Sequence, residues 1–149
     1  MDESNQLIEK FNFIVNHMPH KNKYYHLKSM YNFLQHFNEI PDRERKEKVF
    51  NSLNEYLNYI TENDIVSTKE CRHVFFTFIE PVGLIYKKCC GFSYILRPQS
   101  LVVYLIALNL IFFLFKTNPY FYILNILGFA FIYLMYKRSK SSRVYTFNW

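Results

Sequence analysis

The chain has 149 residues, room for one domain or for a small domain with an appendage. Half of the residues are hydrophobic and a fifth aromatic, with 16 Phe and 13 Tyr, which excludes a disordered chain; three Cys are too few for a disulfide scaffold. Charge is divided along the chain. All twelve acids lie between Asp2 and Glu80 beside ten Lys or Arg, a formal −2, whereas the remaining 69 residues carry eight Lys or Arg and no acid.

The first 80 residues contain no glycine and read as helices with short connections. Leu7, Ile8, Phe11, Ile14, Val15 and Met18 recur at helical spacing, and Pro19 follows as a stop. Tyr24, Leu27, Tyr31, Leu34 and Phe37 form a second stripe that ends before Pro41. Pro41 and Asp42 with Glu44 open a third helix, the acids lying at its positive end. Its buried face is Val49, Phe50, Leu53, Leu57 and Ile60. Ser67 with Glu70 three residues on predicts a capping box for a fourth helix through Val74, Phe75, Phe78 and Ile79, interrupted at Pro81 and Gly83. Residues 81–98 then read as a juxtamembrane amphipathic segment at headgroup level.

Two uncharged runs follow, Leu101 to Phe115 and Tyr120 to Tyr136, fifteen and seventeen residues long. At about 1.5 Å per residue they reach roughly 22 to 26 Å, so flanking residues or bilayer thinning must complete a crossing. Both are apolar on every face, unlike the amphipathic helices of a soluble bundle. A hairpin over 99–136, with helices over about 99–115 and 120–136, is the expectation. If its turn is centred between Thr117 and Asn118, facing residues have numbers summing to about 235. Ala107 is then level with Gly128, two small residues that let backbones approach, and Asn109 is one residue from facing Asn125. Two amides at one depth can share a hydrogen bond where no water is present, fixing helix–helix register; the alternative is that they line a polar path in an oligomer.

Basic residues set the orientation. Lys87, Lys88 and Arg97 precede the hairpin, and Lys137, Arg138, Lys140 and Arg143 follow it, against Lys116 alone in the turn. The positive-inside rule puts both termini in the cytoplasm and turn 116–119 outside or in the lumen. The acidic N-terminus has no basic region leading into an apolar run, so no cleaved signal peptide is expected. The tail, 137–149, is basic and then aromatic. Val144 to Trp149 alternates Tyr145, Phe147 and Trp149 on one side, a pattern that anchors in the interface or adds a strand to a partner. Together with Lys87, Lys88, Arg97, Lys137, Arg138, Lys140 and Arg143, Trp149 is expected to contact the membrane surface and its anionic headgroups.

Sites of chemistry are sparse. His17 and His20 are separated by Pro19, and no Cys or carboxylate stands at zinc spacing with His17, His20, His26, His36 or His73. No metal or cofactor is expected. Cys71 lies beside Arg72 and His73, but neighbours on a helix point apart, so a Cys–His pair needs a histidine from elsewhere. Cys89 and Cys90, following Lys87 and Lys88, are candidates for acylation or plain apolar residues. The run Arg43 to Lys48 alternates sign and reads as a solvated helix face, not a nucleic-acid patch. Without a phosphate loop, nucleophile elbow or paired carboxylates, catalysis is not expected.

The fold expectation is therefore all-α, an N-terminal bundle of three to four amphipathic helices over residues 1–80 followed by a two-helix transmembrane hairpin. The functional expectation is a small integral membrane binding protein that meets a protein partner at the cytoplasmic face, its sharpest form an immunity or accessory protein, with self-association open. The alternatives are a membrane-perturbing effector or channel subunit assembled through the hairpin, and a membrane-shaping hairpin protein.

Overall fold

The computed structural model describes residues 3–18, 25–95, 102–103, 105–107, 109–110 and 120–147, with backbone alone at 121, 122 and 124. The chain is mostly helical. Its helices are α1 (Glu3–His17), α2 (Leu27–Gln35), α3 (Arg43–Glu62), α4 (Thr68–Val74), α5 (Glu80–Cys90) and α6 (Tyr120–Ser139), with a 3-10 turn over Phe37–Glu39. Residues 102–103, 105–107 and 109–110 are also helical. A minimal parallel pair, β1 (Ser93–Tyr94) and β2 (Val144–Tyr145), joins Ser93 to Val144 and Tyr94 to Tyr145. Two compact units result, one from residues 1–94 with 142–149 and the other from 95–141.

The first unit is built from the apolar stripes. Leu7, Phe11 and Ile14 of α1 and Val49, Leu53, Leu57 and Ile60 of α3 are buried in one core, at the three- and four-residue spacing that gives a helix one apolar face. The helix starts obey their capping chemistry. Asp42 accepts from the Glu44 amide at 3.0 Å. Ser67 accepts from the Glu70 amide at 3.2 Å, while the Glu70 carboxylate accepts from the Val66 and Ser67 amides. These backbone donors hold the Glu70 pKa below the ordinary carboxylate value.

Three expectations are corrected in this unit. In α2 the inward face is Leu27, Met30, Phe33 and Leu34, and Tyr31 is about half exposed; the stripe is rotated because Met30 and Phe33, absent from the expected set, are both buried completely. Pro81 and Gly83 do not interrupt the fourth helix. Proline lacks an N–H and is tolerated in a first helical turn, and here α4 passes through a π-helical turn, Phe75–Ile79, straight into α5, whose first turn holds Pro81. Residues 81–98 are accordingly not a headgroup-level segment throughout. Val82, Gly83, Tyr86 and Cys90 are buried in the same core as α3, so the domain extends past residue 80 to Tyr94 and takes in the tail. Helix α5 ends at Gly91, which adopts a left-handed φ of 69° that costs glycine nothing.

In the second unit, α6 presents large apolar side chains outward, among them Ile123, Ile126, Leu127, Phe129, Phe131 and Leu134, each more than half exposed. No helix among the described residues is long and apolar enough to cross a membrane. Turn 116–119, most of the run 101–115, Arg97, Trp149, His20 and Tyr24 lie outside the described residues.

Candidate functional site

Two arrangements of side chains stand out, one inside each unit. In the first unit the chain's last residues fasten onto α2, α5 and β1. Asn32, buried on α2, donates its Nδ2 to the Val144 carbonyl at 2.7 Å. Ser29, also buried, donates to the Thr146 carbonyl and accepts from the Thr146 amide, at 3.2 and 3.1 Å. The Ser93 amide donates to the Arg143 carbonyl at 3.1 Å. An extended segment leaves its backbone groups unsatisfied unless side chains or a strand take them; Ser29, Asn32 and β1 do so here.

Aromatic packing completes the clasp. Tyr145 is 3% exposed, with its ring centroid 5.9 Å from Phe33 and 5.5 Å from Tyr94. It lies so close over α5 that a Cβ on Gly83 would stand 2.6 Å from its ring carbons. Burial pushes the Tyr145 phenol pKa up. The Phe147 ring lies tilted against His26 at 5.5 Å and edge-on to Phe75 at 5.1 Å. Tyr86 lies on Phe33 at 4.9 Å and donates its hydroxyl to the Phe33 carbonyl at 2.6 Å, and burial raises its pKa also.

Charge closes the outer edge. Arg143 reaches Glu39 at 3.1 Å and donates to the Cys90 carbonyl at 2.9 Å. His36 stands between Glu39, 2.8 Å away, and the Ser142 hydroxyl, 3.0 Å away. The hydrogen bond with His36, and then the Arg143 charge, hold the Glu39 pKa below the ordinary value. The Arg143 side chain makes these contacts while remaining about half exposed. Val144 and Tyr145 of the tail supply a strand to this chain itself, pairing with Ser93 and Tyr94 of β1.

In the second unit, Asn109 donates Nδ2 to the Leu105 carbonyl at 2.8 Å and to Asn125 Oδ1 at 3.0 Å. The two helical segments are thereby tied at the level of the two amides. Gly128 meets Leu105, whose Cδ2 is 3.2 Å from where a Cβ would stand, and not Ala107, which is exposed. The small-residue contact is thus one-sided, with a leucine filling the space that glycine leaves. Beside the amide pair lies an apolar groove of about 540 Å³, lined by Val102, Leu105, Ile106, Leu110, Phe129 and Ile132 with Asn109 in its wall.

The remaining candidates are placed as follows. Lys87, Lys88, Lys137, Arg138 and Lys140 are exposed, and the Lys140 ammonium sits 4.6 Å over the Tyr136 ring. Cys90 is buried, and its backbone carbonyl accepts from Arg143. Cys89 is half-buried and accepts from the Arg45 guanidinium at 3.1 Å. The histidine that Cys71 needed is His26, whose Nε2 is 3.5 Å from the Cys71 sulfur. Both are completely buried, so no substrate reaches the pair, and it is a core contact. No group of three or more His, Cys, Asp or Glu able to hold a metal occurs among the described residues.

Sequence inspection missed Ser29, Asn32, Glu39 and Gly83. The signal for Gly83 was its rarity, since it is one of only 3 glycines, and a lone glycine in a helix marks a close approach by another group. Polar Ser29 and Asn32 on the inner face of an otherwise apolar α2 carried the second signal. Searches against family models, characterised proteins and solved structures return no match to this chain.

Proposed function

We propose that the chain is an integral membrane binding protein without catalysis, in which segment 99–136 inserts as a hairpin and the helical domain meets a protein partner at the cytoplasmic face. The observation that carries this reading is the outer surface of α6. Exposed Ile123, Ile126, Leu127, Phe129, Phe131 and Leu134 occupy more than half of its circumference, and soluble proteins rarely leave contiguous apolar patches of that extent in water. Lipid chains cover such a surface without cost.

The length of the run agrees with a shallow crossing. Seventeen uncharged residues from Tyr120 to Tyr136 make roughly 26 Å of helix against a hydrocarbon core of about 30 Å, a mismatch relieved by thinning or by the interfacial tyrosines. Exposed Lys87, Lys88, Lys137, Arg138 and Lys140 then face the headgroups on one side, against Lys116 at the turn. Segment 95–141 is flanked in sequence by stretches of the domain that pair with each other as β1 and β2. A hairpin fastened at both ends to one folded domain suits a receptor or accessory role, with an immunity protein as the sharpest form.

Full-length protein expressed in cells and extracted with alkaline carbonate tests the assignment. Retention in the membrane pellet is expected, and release into the supernatant overturns it. The channel alternative is separated by dye-loaded vesicles. A binding protein leaves the dye trapped, and leakage that requires Asn109 and Asn125 overturns the binding reading.

A further inference from the structure

We propose that the hairpin pairs with a second copy of itself about a two-fold axis along the membrane normal, with four asparagine amides closing a ring of hydrogen bonds. The inference rests on the membrane reading above. Asn109 uses both Nδ2 hydrogens, one on the Leu105 carbonyl and one on Asn125 Oδ1. Among the described residues, Asn109 Oδ1 and both Nδ2 hydrogens of Asn125 make no hydrogen bond. Water would satisfy them. In hydrocarbon nothing does, and each unmade bond is costly.

The leftover groups are complementary to each other. Asn109 offers an acceptor and Asn125 offers donors, so a second hairpin supplies what the first lacks and receives the same in return. Asn125 of each copy donates to Asn109 of the other, while the bond within each copy is kept. Two bonds between copies and two within them make a closed ring. Depth permits it, because copies inserted with the same orientation carry both asparagines at one level. A two-fold axis makes the contact reciprocal and closes the assembly at two.

Shape supports the same occupant. The groove of about 540 Å³ has Asn109 in its wall and Phe129 and Ile132 on its far side. Asn125 is four residues before Phe129, on the same face of α6. A lipid chain could fill this groove, but it carries no polar group and would leave the amides orphaned. A second hairpin fills the groove, gives each Asn109 oxygen a donor and gives one of the two Asn125 hydrogens an acceptor, so that packing and hydrogen bonding, the contributions that drive helix association in lipid, act together.

The test uses the full chain, labelled at one cysteine replacing exposed Glu47 in a Cys89→Ser background and reconstituted at low density in phosphatidylcholine vesicles. Photobleaching of single spots counts copies, and resistance to alkaline extraction reports insertion. Two bleaching steps are expected for the wild type. Asn109→Leu with Asn125→Leu should remain inserted and weaken pairing roughly ten- to a few-hundred-fold, the loss of two amide bonds between membrane helices. Ile132→Trp, which keeps both amides and blocks the groove, should also give single steps, and it decides the matter if the double variant fails to insert. Wild type that is inserted yet bleaches in one step, or in more than two, overturns the pairing alone. Two steps that persist in both variants overturn it as well. Wild type that does not insert overturns both the pairing and the membrane reading.

Discussion

Gly83→Ala perturbs the tail clasp at one atom. The added methyl would lie 2.6 Å from Cε2 and Cζ of Tyr145 and 2.8 Å from Cδ2, whereas carbon atoms settle at about 3.5 to 4.0 Å. One group must therefore move by about 1 Å. The backbone of α5 is fixed by the buried flanks Val82 and Tyr86, and the Tyr145 ring is wedged between Phe33 and Tyr94. Overpacking of this kind costs about 1 to 3 kcal/mol. Alanine's better helix propensity returns about 1 kcal/mol, which leaves a net loss of up to about 2 kcal/mol concentrated in the tail. Hydrogen exchange on the full chain reads it directly. Amides of residues 143–147 should exchange faster, by up to roughly thirty-fold, while those of α3 stay unchanged. Tyr145→Ala removes the ring, so Gly83→Ala made in that background should be neutral or stabilising. A Gly83→Ala effect of equal size in both backgrounds would refute the close-approach argument, because the clash requires both groups.

Leu53 is completely buried in α3, and Leu53→Ala should cost about 2 to 5 kcal/mol, measured as a lower midpoint in the helical melt of the full chain. Ser67→Ala deletes one half of a formed capping box and should cost about 1 kcal/mol in the same melt, with Ser67→Asp retaining most of it. The Glu39 pKa is lowered in the folded chain, so its contribution is complete above the unfolded value of about 4.3 and is lost as pH falls through the depressed folded value. Hydrogen exchange at the amides of residues 143–147 should report loosening of the tail in that acid window, and Glu39→Gln should abolish the transition. Asn125→Leu alone should reduce the yield of inserted protein more than the double replacement with Asn109→Leu, since the single change leaves Asn109 without its acceptor in hydrocarbon.

Local chemistry was legible in the sequence and long-range pairing was not. Ser67 with Glu70, Asp42 before α3, and the spacing of Leu53, Leu57 and Ile60 are signals confined to one or two helical turns, where side-chain direction follows from 3.6-residue geometry. Asn109 and Asn125 were reachable because a hairpin has one free parameter, the centre of its turn. The clasp was not reachable. The alternation of the tail names no partner strand, Ser93 and Val144 pair as two-residue strands fifty-one positions apart, and Asn32, Ser29 and a glycine gap that hold the tail lie on other elements. The Arg143 ion pair was hidden for a related reason: Glu39 lies within 3.1 Å of it, and only the fold brings the two together. Pro81 misled because a proline is a stop in mid-helix yet acceptable in a first turn, and the π-helical turn before it has no sequence signature.

The central claim is that segment 99–136 is embedded in a membrane with both of its ends on one side. Single cysteines placed at Thr117, at exposed Glu47 and at exposed Ser141, in the Cys89→Ser background, measure it in intact cells with a membrane-impermeant maleimide. Labelling at 117, with 47 and 141 labelled only after permeabilisation, is the result predicted. Labelling of 141 together with 117 in intact cells, or of none of the three until permeabilisation, would contradict it.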